Sequence, residues 1–369
     1  MQTIAVTGGA GFIGQHVCRE LRRHGYRVRV LDVLVEQTHG AGPVEPHEEM
    51  DAFIHGDVRD PEALHRLLGG ADGLVHLAAE VGVGQSMYEI GRYVSANTLG
   101  TAQLMEAAVK SDIRRIVVAS SMSVYGEGRY ADADGRIHDD IVRSSAARAG
   151  GWDPQGPHGE HLHPVPTPES KPPNLASVYA LTKFDQEQLT LILANAYGLE
   201  AVALRLFNVF GSGQALSNPY TGVLAIFAGR LLNDQPPLVY EDGRQRRNFV
   251  DVRDVATAFR LALETPGIAG ETFNIASETD HRVEDVARIL ARAMDREAIS
   301  PVILDKARIG DIRHCLADIT KARRLLGYAP RHTLEDSVDE LVDWVARQTG
   351  ARDLAVHAQQ ELEKRGLVV

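Results

Sequence analysis

Ile4-Ala-Val-Thr-Gly-Gly-Ala-Gly-Phe-Ile-Gly14 is the stretch whose reading decides the fold. Ile4-Ala-Val6 is a short apolar strand. The glycines after it fit Gly-x-x-Gly-x-x-Gly at Gly8, Gly11 and Gly14, and Gly-x-Gly-x-x-Gly when read from Gly9. Missing side chains let such a turn close and let backbone touch a pyrophosphate, whose charge then rests on a helix N-terminus. That helix, opened by Phe12 and Ile13, is expected to run to about His24 with Gly25 as its stop. A second strand, Arg27-Val-Arg-Val-Leu31, ends in Asp32, 18 residues beyond Gly14. This is near the spacing at which a carboxylate accepts from an adenosine ribose. A carboxylate there repels a ribose phosphate, and Val33-Leu34 offers no cation to receive one. The pattern implies NAD rather than NADP.

Outward from this unit the alternation continues. Ile54 to Val58 ends a third strand, with Asp57 as a cap for the helix begun by Pro61. Gly73 to Ala79, including Leu77 and Ala78, makes a fourth, and a helix over Tyr93–Ser111 carries Asn97. Ile113–Ser121 and Val202–Leu206 supply a fifth and a sixth strand. Repeated strand–helix units with apolar strands specify an α/β fold: a doubly wound parallel sheet covered on both faces. Ligands gather at the carboxyl ends of such strands, where Gly8, Asp32, Ala78 and Ser121 stand.

The chain has 369 residues, 44% hydrophobic and 24% charged, a soluble globular profile. Its formal net charge of −11 argues against a nucleic-acid or anionic-membrane surface. Two cysteines, Cys18 and Cys315, form no disulfide framework, and the first residues already read as a strand. With no apolar run of membrane length, the expectation is a cytoplasmic protein.

Tyr179 and Lys183 stand four apart on an expected helix, so phenol and ammonium can share one face. A fixed cation beside a tyrosine lowers its pKa from about 10 towards neutrality. Such a pair suits proton removal from an alcohol.

Together these marks resemble the extended short-chain dehydrogenase/reductases, in the branch of nucleotide-sugar epimerases and dehydratases. The resemblance rests on Thr7 to Gly14, Asp57-Val58, His76 to Ala79, Asn97, Ser121-Met-Ser-Val-Tyr-Gly126 and Tyr179 to Lys183, and runs to about residue 345. It implies a Rossmann domain over residues 1–206, with 248–275 returning to it, and a smaller α/β substrate-binding domain over 207–369. It also implies catalytic roles for Ser121, Tyr179 and Lys183, with the lysine on a cofactor ribose. Asp57 and Val58 would meet the adenine, while Ala79 and Asn97 belong to the cofactor side. For the substrate it implies Ser123, Asn208, Arg247 and Arg308, the last three around a diphosphate. Cys315 falls where UDP-galactose 4-epimerases carry a residue that limits sugar bulk. Asn248 departs from the family's pattern, which has aspartate there.

Residues 129–174 break the strand–helix pattern and read as an inserted loop near the site. His158, His161 and His163 lie in it, but without a cysteine or a fourth ligand no metal site is expected. What the resemblance implies is an NAD-dependent inversion at C4 of a dTDP- or UDP-linked sugar, carried out by a homodimer pairing helices around Tyr93–Ser111 and Leu181–Ala196. Ala79 to Ile90 and Gly310 to His314 resemble the dTDP-L-rhamnose 4-epimerases in particular. A 4,6-dehydratase or decarboxylase on the same fold, and a non-catalytic NAD sensor, stand as alternatives. Dehydratases place Asp-Glu after the catalytic Ser/Thr, where this chain has Met122-Ser123; Asp139, Asp140 and Glu160 of the insert could still supply an acid.

Overall fold

The computed structural model describes residues 2–40, 49–143, 151–220, 222–348 and 353–369. Residues 41–48, inside the expected loop Gly40–Glu49, and 144–150 of the insert lie outside the described residues.

Seven parallel strands form the central sheet: β1 (Thr3–Thr7), β2 (Arg27–Asp32), β3 (Ala52–His55), β4 (Gly73–His76), β5 (Arg115–Ser121), β6 (Glu200–Leu206) and β7 (Thr272–Ile275). Their order is β7-β6-β5-β4-β1-β2-β3. Strand order reverses between β1 and β4, the crevice in which doubly wound sheets bind ligands. Side chains of β1 alternate between two apolar layers. Ile4 and Val6 pack with Val17, Cys18 and Leu21 of helix Phe12–Arg23 and with Val255 and Phe259 of helix Val252–Glu264. Ala5 faces the other way, into Leu64, Leu67, Leu104, Met105 and Ala194. Each fully buried Val, Leu, Ile or Phe contributes about 1.5–3 kcal/mol, so the two layers fix the sheet.

A separate core joins helices Val223–Leu232, Val283–Ala293 and Leu334–Ala346 through Leu224, Phe227, Leu231, Leu290 and Leu341. Among the described residues no helix is long and apolar enough to cross a membrane.

Three expectations are corrected. The cap of helix Pro61–Leu68 is Asp60, whose carboxylate accepts from Glu62 N at 2.9 Å; Asp57 accepts from Arg59 N instead. The expected helix Tyr93–Ser111 is broken in type: Ile90–Tyr93 is α-helical, Val94–Leu99 is π-helical and Gly100–Ala108 is α-helical again.

The insert is a small sheet rather than a loop. Arg129–Ala131 pairs antiparallel with Ile137–His138 and His163–Thr167, and the latter pairs in parallel with Leu316–Ala317. Buried charges brace it from below. Arg313 bonds Asp153, Glu241 and Asp242 at 2.6–3.1 Å, and Glu127 accepts from the amides of Arg313 and His314. The histidines singled out in the sequence do not converge. A different group forms, with ligand atoms of Asp132, His138 and Glu160 within 4.8 Å of one another, and His138 pairs with Asp132 at 3.2 Å.

Candidate active site

A cleft of about 680 Å³ opens over the carboxyl ends of β1, β2, β4 and β5. Its floor is the glycine turn. Gly8 has φ 70°, and a Cβ there would meet Ala78 N at 2.7 Å; one on Gly14 would strike Gly8 O at 2.3 Å. Only glycine lets the turn pack this tightly and bare the start of helix Phe12–Arg23 to an anion. Gly11, Phe12 and Ile13 line the cleft with it. At the end of β2 the Asp32 carboxylate accepts from Ala10 N (3.0 Å) and Leu34 N (2.9 Å) and faces the cleft. Asp57, Val58, Leu77, Ala78 and Ala79 complete that side. Bare backbone for a pyrophosphate and a fixed carboxylate beyond it fit a dinucleotide.

Asn97 stands behind the lining. Buried in the π-helical stretch, it accepts from Glu80 N (2.7 Å) and donates to Glu80 O and Thr182 Oγ1 (both 3.0 Å). It fixes the loop that follows Ala79 rather than forming the cleft surface.

Helix Val178–Tyr197 carries Tyr179 and Lys183 into the cleft. Ser177 caps it, accepting from Ala180 N at 3.1 Å, and Tyr179 N donates to Ser86 Oγ at 3.0 Å. Burial pushes the Tyr179 phenol up, while a hydrogen bond with Ser121 pulls it down. Ser121 Oγ also accepts from Ser123 Oγ at 2.9 Å, so the hydroxyls of Ser123, Ser121 and Tyr179 form one chain. Lys183 is buried, and desolvation lowers its ammonium to about 7, with Glu187 opposing the shift. Its Nζ donates to Gln186 Oε1 at 2.6 Å. The Gln186 amide is in turn held by Thr101 Oγ1 (2.9 Å) and Ala78 O (3.2 Å) beside His76, whose imidazole burial drives down to about 3. Sequence reading missed Gln186, although its place three residues after Lys183 on one helix face was a usable signal.

The far end of the cleft holds Asn208, Arg247 and Arg308. Arg247 donates to the carbonyls of Arg246 (2.9 Å), Arg313 (2.7 Å) and Ile312, and among the described residues it forms no ion pair with a carboxylate. Arg308 bonds Asp311 at 2.7 Å and stacks on Tyr240, 4.6 Å from the ring centroid. Asn248 is a knot. It donates to Ser277 O and Thr279 O and accepts from Ala317 N, which an aspartate could not do. Cys315 is brought elsewhere: fully buried, it packs beneath Gly128 and does not line the cleft.

Asp139 and Glu160 are likewise outside the lining, Asp139 held by Arg129 at 2.7–2.8 Å and Glu160 accepting from His158 N at 2.8 Å; Asp140 also lies outside it.

The dTDP-L-rhamnose 4-epimerase of Burkholderia thailandensis is 36% identical over 358 residues, spanning 94% of this chain and 95% of its own. The solved UDP-glucose 4-epimerase of Thermotoga maritima, holding UDP-glucose, superposes with a TM-score of 0.76 at 29% identity, covering 94% of this chain and 99% of that one. MoeE5 in complex with UDP-glucuronic acid and NAD gives 0.74 at 29% identity, with the same coverage. Residues 4–276, which hold the glycine turn, the serine strand and the Tyr179–Lys183 helix, match the NAD dependent epimerase/dehydratase family, and the chain belongs to it.

Proposed function

We propose that the protein inverts C4 of a nucleotide-diphosphate sugar. The observation that carries this reading is the company of Ser121 and Tyr179. Met122 and Ser123 follow the serine, and the carboxylates of the insert lie outside the cleft. Dehydration across C5 and C6 needs an extra acid and base, and the acids that do line the cleft are already engaged, Asp32 by the amides of Ala10 and Leu34. Glu80 is paired with Arg92, Glu241 with Arg143 and Arg313, Asp311 with Arg308, and Asp57 with Arg59.

Tyr179 takes the proton of the C4 hydroxyl, and Ser121 hydrogen-bonds the same oxygen. Lys183, swung from Gln186, sets its ammonium beside the phenolate and lowers the phenol's pKa. The glycine turn at Gly8–Gly14, Asp32 and Lys183 would hold NAD, which when bound would supply the reversible hydride chemistry that inversion at C4 requires. Arg247, Arg308 and Asn208 hold the diphosphate while the sugar turns over; arginine forks suit that anion. On this reading residues 1–206 and 248–275 serve the cofactor and the remainder of 207–369 the sugar nucleotide.

The Burkholderia relative's name and the runs Ala79–Ile90 and Gly310–His314 make dTDP-L-rhamnose the first substrate to try. The same proposal takes the protein to be a cytoplasmic homodimer. Supporting a dimer, Val94, Leu99, Leu181 and Ile192 leave apolar side chains 40–60% exposed on the two segments named for pairing. Incubation with dTDP- and UDP-sugars, read by NMR, should give the C4 epimer with no loss of water. Accumulation of a product 18 mass units lighter at a comparable rate makes the enzyme a dehydratase.

A further inference from the structure

Helix Ala355–Lys364 and the residues after it return to the cleft. Ala355, Ala358, Gln359 and Leu362 line it. Leu362 is buried over Gly84, where an added Cβ would lie 3.3 Å from the leucine's Cδ1. Gly366, at φ 68°, ends the helix, and Leu367 N bonds back to Leu362 O at 2.9 Å. The chain then runs antiparallel to the Arg308 segment. Ala307 and Val369 exchange both amide bonds at 2.8 Å, and Ile309 N donates to Leu367 O at 2.9 Å. At its start the segment is pinned by Asp353 on the buried Arg230 at 2.7 Å, and Arg365 stacks 4.4 Å from the Tyr88 ring centroid. Residues 353–369 are thus tied on one side to the Val83–Ser86 turn, beneath Tyr179, and on the other to the Arg308 backbone.

We propose that residues 353–369 are a strap closing the substrate end of the cleft over a bound sugar nucleotide. Leu362 and Gln359 touch the ligand, and Leu367 to Val369 hold Arg308 at its diphosphate. This rests on the sugar-nucleotide reading above. A strap answers a need of that chemistry: an uncharged keto sugar tethered only by its diphosphate must turn over without escaping, and water must stay out.

The test is titration calorimetry of the NAD-loaded protein with UDP-glucose and with dTDP-L-rhamnose, alongside the bound NAD content. A chain ending at residue 352 should keep NAD and lose about tenfold or more in sugar-nucleotide affinity, and Leu362→Ala and Gln359→Ala should each lose several-fold, in the range that small deletions from a binding pocket produce. Gln360→Ala, on the exposed side of the same helix, should bind like the parent. Parent-like affinity in both Leu362→Ala and Gln359→Ala overturns the strap, even if the shortened chain binds poorly. Where the shortened chain does not fold, the two point variants decide. Tight binding by the parent without epimerisation sinks the proposed reaction and leaves the strap standing. Epimerisation with unchanged affinity in both variants sinks the strap alone.

Discussion

Burying Lys183 takes its ammonium out of water with one neutral oxygen, Gln186 Oε1, as its hydrogen-bond partner. The lowered pKa, about 7, makes this a stability statement. An unfolded lysine keeps its proton up to about pH 10.4, whereas the folded one sheds it near 7. The folded state therefore binds fewer protons across that window, and its stability rises with pH there. Lys183→Met should raise the thermal midpoint more at pH 6 than at pH 9, while turnover falls; an equal rise at both values would rule out the buried charge as the cause. Tyr179→Phe should keep the fold and bound NAD and lose roughly a thousandfold in turnover, as loss of a positioned base can. A near-normal rate removes Tyr179 from the mechanism. The residue types at this scale were legible because their spacing carries the chemistry: four residues put Tyr179 and Lys183 on one face. Gln186 was within reach of the same argument, three residues further on; its meeting with His76 and Thr101 comes only when helix Val178–Tyr197 docks on β5 and on helix Gly100–Ala108, a tertiary fact that no local pattern encodes.

The helix that carries the pair depends on how it begins. Ser177 Oγ accepts from Ala180 N, and removing such a cap costs about 1 kcal/mol. Ser177→Ala should lower chemical stability by that amount and cut kcat more than KM, because the first turn, which holds Tyr179, is what loosens. Stability unchanged within error would show that docking alone holds the turn. The first six strands of the central sheet and helix Phe12–Arg23 were readable from sequence, down to Gly25 as that helix's stop. The insert was not, for physical reasons. Its strands are two to five residues long, too short to show a period, and Pro164 and Pro166 interrupt the longest of them. Its pairing partner, Leu316–Ala317, lies about 150 residues further along the chain. The π-helical turn at Val94–Leu99 likewise has no sequence period of its own; it lies where Asn97 turns inward to hold Glu80.

At the scale of the whole molecule, Val94 and Leu99 on one segment and Leu181 and Ile192 on another leave an apolar face on neighbouring elements. Light scattering should give twice the chain mass at micromolar concentration, and Leu181→Asp with Ile192→Asp should shift it to the monomer. A parent that is monomeric at that concentration removes the dimer. Strand order has a further consequence, in time rather than space. β5 is an interior strand of the sheet, but its neighbour β6 begins only after the insert and the whole Tyr179 helix have been made. At a synthesis rate of about 5–20 residues per second, the backbone edge of β5 waits on the order of ten seconds for its partner. During that wait a nascent chain has β5 paired with β4 on one side and presents its other edge, along Arg115–Ser121, to any strand in reach. The insert therefore lengthens the time for which each new copy carries that open edge.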